Sequence, residues 1–121
     1  MTEVGVLIPA SEGFSAIAKS MGGAKNPVIV TSFRYSELGE AIEAMRRCAN
    51  IYIESHMINS PDFLDVLQNE VGLRKVIFGS NAPLSYMTGA LKQIEHSHIS
   101  STDKEMVLGR NLGAILAGAE V

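Results

Sequence analysis

Glu54 and His56 stand two positions apart at the end of the apolar run Asn50-Ile51-Tyr52-Ile53. On an extended strand successive side chains alternate, so both lie on the same side. A carboxylate beside an imidazole can work as a general acid/base pair, or can orient the imidazole as a ligand. It can equally be a polar rim satisfied by hydrogen bonds and water. Other apolar runs also end in polar residues: Ser11 and Glu12, Ser32 and Arg34, Ser80 and Asn81. Ser32, Arg34, Ser80 and Asn81 form a candidate binding set for a small polar or anionic ligand. Arg34 offers a planar fork that matches a carboxylate or phosphate. Asn81 can donate to a bound anion, or cap a helix beginning before Pro83.

Other reactive side chains have weaker settings. His96-Ser97-His98 has ligand-like alternation, but it falls in a polar connection, and zinc generally needs at least three protein ligands. Cys48, the single cysteine, excludes an internal disulfide and reads as a half-buried thiol after the helix-end pair Arg46-Arg47. Gly22-Gly23 follows a helical pattern rather than a strand, so it is no phosphate-binding loop.

The elements that position these residues alternate strand and helix four times, as in βα units around a parallel sheet. Strands are expected at Val4–Pro9, Pro27–Thr31, Asn50–Glu54 and Val76–Gly79. The first helix, from about Glu12 to Met21, carries Phe14, Ile17 and Ala18 on one face. Ser36 is the expected cap of a second, with Leu38, Ala41, Ile42 and Met45 as its apolar stripe. Ser60-Pro61-Asp62 opens a third, with Phe63, Val66 and Leu67 inward. A fourth runs from about Leu84 to Glu95. A capping box, Thr102-x-x-Glu105, opens a last helix with Leu108, Leu112, Ile115 and Leu116 inward.

At 121 residues, with 46% hydrophobic and 19% charged residues, the chain is long enough to bury a core, and residues 1–121 read as a single domain. A net charge of −3 without a basic cluster argues against nucleic acid or an anionic membrane as partner. Met1-Thr2-Glu3 lacks a signal-peptide pattern, and no apolar run approaches the ~18 residues of a membrane span, so a cytoplasmic location is expected. Continuous apolar strands imply a sheet covered on both faces. Two open edges would need a partner, a covering helix or a second copy.

Three motifs carry a family resemblance. Lys75-Val76-Ile77-Phe78-Gly79-Ser80-Asn81-Ala82-Pro83 resembles the last barrel strand of the amidohydrolase superfamily, apolar-apolar-Phe-Gly-Ser/Thr-Asp-x-Pro. Ala49-Asn50-Ile51-Tyr52-Ile53-Glu54-Ser55 resembles its penultimate strand. The stretch from Ser101-Thr102-Asp103-Lys104-Glu105 to Arg110-Asn111-Leu112-Gly113-Ala114-Ile115-Leu116 resembles its closing helix. Together they resemble strands five to eight of the aminocarboxymuconate-semialdehyde decarboxylase-like branch. The resemblance implies an α/β fold of four βα units in a parallel, TIM-barrel-like half-barrel, plus a C-terminal helix. It also implies a divalent metal held by a His-x-His pair, further strand-end histidines and a final aspartate. Here the strand-five position falls at Pro9-Ala10, the strand-six position at Thr31-Ser32, and Asn81 stands for the aspartate. A carboxamide neither takes up a proton near neutral pH nor binds a cation as a carboxylate does.

The expectation is therefore a half-barrel without the family metal site and without a predicted cofactor, acting as a binding or structural module. A homodimer could close an eight-stranded barrel. The alternative is a subunit of a metal-dependent hydrolase or decarboxylase, completed by a partner chain with the first half-barrel. In that case Glu54 and His56 would carry acid/base work. A third possibility is a piece of a longer reading frame.

Overall fold

The structure, a computed structural model, describes residues 6–23, 26–31, 34–55, 62–79 and 87–117. Strands β1 (Val6–Pro9), β2 (Val28–Thr31), β3 (Ile51–Glu54) and β4 (Val76–Ile77) form one parallel sheet in the order β1-β2-β3-β4. Helices α1 (Phe14–Met21), α2 (Leu38–Arg47) and α3 (Phe63–Glu70) join them in turn. A strand order that never reverses, with right-handed crossovers, puts these connecting helices on one face, as in a section of barrel wall.

Register and burial show the two faces. Val30 pairs with Ile53 and Ile53 with Val76. This row and the Val28–Ile51 pair belong to the main core with Phe14, Phe63, Leu64 and Leu67 of the helices. The intervening residues Ile29, Tyr52 and Ile77 turn to the other, inner face, where Ile115 completes a smaller cluster. Leu7, paired with Ile29 on the same face, remains 68% exposed.

Polar side chains secure the N-terminal ends of the strands. Asn50 Nδ2 donates to the Met21 and Asn26 carbonyls at 2.9 and 3.1 Å, and its Oδ1 accepts from Gly23 N–H at 3.0 Å. Lys75 Nζ donates to the Met45 and Cys48 carbonyls, at 2.9 and 3.1 Å, at the negative end of α2. Burial pushes the Lys75 pKa down, and the nearby Cys48 opposes that shift. Helix α3 ends at Gly72, whose φ of 82° suits glycine and whose N–H returns to the Leu67 carbonyl at 2.8 Å.

After α4 (Met87–Glu95), the chain closes with α5 (Ser101–Glu105), a π-helical turn (Met106–Arg110) and α6 (Asn111–Leu116). In the π turn the Asn111 N–H bonds Met106 O instead of Val107 O. The Val107 carbonyl instead accepts the Phe78 N–H at 3.0 Å, just beyond β4. Asn111 Nδ2 donates to the Leu73 and Val76 carbonyls at 2.7 and 2.8 Å. The Val76 carbonyl on the outer margin of β4 and the Phe78 N–H just beyond it are thus taken by the chain's own closing helices, while the Val76 N–H bonds the Leu73 carbonyl at 3.4 Å. No group among the described residues bonds the outer margin of β1.

Several local expectations are corrected. The buried stripe of the last helix is Val107, Asn111 and Ile115, while Leu108, Leu112 and Leu116 are exposed, because the π turn and the Asn111 bonds fix its rotation. Its cap is Ser100, whose Oγ accepts from Asp103 N–H at 3.1 Å, two residues before the expected Thr102. A 3₁₀ turn, Tyr35–Glu37, precedes α2, so the helix starts without a Ser36 side-chain cap. In α3, Leu64 is fully buried and Val66 partly so. The Ser60-Pro61 signal and the Leu84 helix start lie outside the described residues.

Candidate functional site

The C-terminal ends of parallel strands are where βα folds gather reactive groups. Among the described residues that end is marked by Pro9, Thr31, Glu54 and Gly79. Glu54 ends β3 on the inner face, following Tyr52 by alternation and paired in register with Ile77. It is half-buried, above an apolar wall of Ile29, Tyr52 and Ile77. Burial raises the Tyr52 pKa, as expected for a phenol lodged in that wall.

The next residue, Ser55, is buried. Its N–H donates to the Ile77 carbonyl at 3.0 Å and its Oγ accepts from Gly79 N–H at 3.2 Å. The Glu54 side chain lies against Gly79, in space that a Cβ at that position would need.

Of the candidate site residues, Glu54 is the last residue of β3. Arg34 is exposed, and its backbone N–H donates to Glu37 Oε1 at 3.0 Å, closing its own turn. His56, Ser32, Ser80 and Asn81 lie outside the described residues. His98 Nδ1 faces Asp65 Oδ2 at 3.6 Å on the surface, and His96 is exposed. Ser55 and Gly79 were missed as site residues. The motifs around them contained the signal, but a hydroxyl-to-amide bond between two strand ends leaves no periodic trace.

The donor set does not fit the metal that the family resemblance implies. At the described strand ends Glu54 lies on β3 and Glu12 just after β1, and no three His, Cys, Asp or Glu side chains gather among the described residues. A separate hollow of about 590 Å³ lies on the helical side of the sheet, between α1 and α2, with Phe14, Ala18, Ala44 and Cys48 among its lining residues.

No family model matches the sequence, and no curated protein matches it. Among solved structures, the chain is similar to 5-carboxyvanillate decarboxylase LigW from Sphingomonas paucimobilis, with a TM-score of 0.60 and 20% identity. The match covers 76% of this chain and 34% of that one, so the chain spans about a third of the neighbour's length. At this identity the likeness is one of fold: four βα units form a section of a TIM-type barrel. No described helix is long and apolar enough to cross a membrane.

Proposed function

We propose that the chain is an amidohydrolase-like half-barrel without the family metal ligands, a single unit that binds a small polar molecule and associates with a second copy. The observation that carries this reading is Glu54, a carboxylate on the inner face at the C-terminal end of a parallel strand, above an apolar wall. The likeness in fold to a solved 5-carboxyvanillate decarboxylase supports the resemblance. A carboxylate over an apolar wall favours a ligand that brings a hydrogen-bond donor, an amine or a hydroxyl. His56, Ser32, Arg34, Ser80 and Asn81 complete the proposed set.

Association at β1 is favoured over barrel closure at β4. Pairing at β4 would have to displace the Val107 and Asn111 bonds, whereas β1 is open among the described residues. Native mass spectrometry of the purified chain tests the proposal by reporting subunit number and bound metal together. A metal-free dimer is expected. A metal-loaded species, or a monomer that assembles only with a chain carrying a His-x-His strand, overturns it in favour of the partner-completed enzyme.

A further inference from the structure

Resting on the reading of Glu54 as the working group of the mouth, we infer that Gly79 is a positioning residue whose missing side chain provides the seat of the Glu54 carboxyl group.

What glycine at 79 provides is room for a side chain and not a special backbone conformation. Positive φ occurs at Gly13, Gly23 and Gly72, and Gly79 is not among them. A Cβ built on Gly79 would run into Glu54 Oε1, Cδ and Cγ, closer than real side chains approach. The backbone has little freedom to back away. Ser55 Oγ holds the Gly79 N–H at 3.2 Å, and the Ser55 N–H is itself bonded to the Ile77 carbonyl at 3.0 Å. Ser55 is buried, so these ties are shielded from competing water. The adjacent strand ends therefore form a fixed frame, and the Glu54 side chain folds across it against Gly79, just beyond β4. A side chain at 79 leaves the frame in place and moves the carboxylate.

The test uses protein carrying ¹³C at glutamate carboxyl carbons, with the Glu54 resonance assigned through Glu54→Gln. In Gly79→Ala the Glu54 resonance is expected to move while the other glutamate resonances stay. Because Gly79→Ala can also weaken folding, the same change is made in Glu54→Asp, which withdraws the carboxylate by one methylene, and in Glu54→Ala. Both backgrounds should restore the melting temperature that Gly79→Ala lowers in the parent. An unmoved Glu54 resonance in folded Gly79→Ala overturns the inference, as does an equal loss of stability in all three backgrounds. Neither readout needs a ligand. Failure of Glu54→Gln to weaken binding of an amine or hydroxyl compound would overturn the functional reading alone.

Discussion

Asn111 reaches back 35 residues to donate its carboxamide N–H to the Val76 carbonyl at 2.8 Å, and the same nitrogen meets the Leu73 carbonyl at 2.7 Å. One buried side chain thus joins the last helix to both the start and the margin of β4. Asn111→Leu should strand these two carbonyls at roughly 1–3 kcal/mol each. Asn111→Asp should cost more, since it sets an anion against two carbonyl oxygens. Urea denaturation of both variants checks the order; equal stability of Asn111→Leu and the parent would remove Asn111 from this role.

Gly22 ends α1 where a Cβ would press on the Ala18 carbonyl and on Cys48 Sγ. Gly22→Ala is expected to destabilise by about 1–3 kcal/mol, the usual cost of overpacking. Cys48→Ala removes the sulfur but not the carbonyl, so it should relieve part of that cost. A double-mutant cycle on the denaturation midpoints measures the coupling, and strict additivity would show that the two sites do not meet.

The last helix separates residues of similar hydrophobicity by position. Ile115→Ala should cost about 2–5 kcal/mol, because Ile115 covers Ile29, Tyr52 and Ile77. Leu112→Gln, on the exposed side, should change the stability of the isolated chain by no more than about 0.5 kcal/mol. Comparable losses for both would restore the leucine-inward rotation.

Tyr52 makes stability depend on pH in the alkaline range. Burial raises its folded pKa above the ordinary 10.0, so the unfolded chain ionises first. The neutral phenol's contribution is complete below pH 10.0 and is lost as pH rises through the folded pKa. Phenolate absorbance should show a delayed tyrosine transition that disappears in Tyr52→Phe. Tyr52→Phe should also flatten the loss of stability above pH 10.0.

The sheet was legible in the sequence because buried parallel strands are written as continuous apolar runs, such as Val28-Ile29-Val30 and Ile51-Tyr52-Ile53. Glu54 was legible as a strand-end carboxylate for the same reason. The rotation of the last helix is not legible in the sequence, because side-chain type alone does not decide burial there. Its inward central residue is an asparagine whose stability comes from two backbone acceptors far away in sequence, and no helical periodicity encodes those partners. The π turn was equally hidden, since its effect is to release one carbonyl to Phe78. The Ser55–Gly79 bond depends on the alignment of two strand ends, which is set only when the sheet forms.

The unequal margins of the sheet limit the size of any assembly built by strand pairing. A sheet open at both sides can recruit at each and grow into a filament. This one has β4 engaged by its own closing helices, which leaves β1 as the margin open to pairing among the described residues. Two copies meeting there, as proposed, would use up each other's valence, so the helix that stabilises one protomer would also act as a chain terminator for such an assembly.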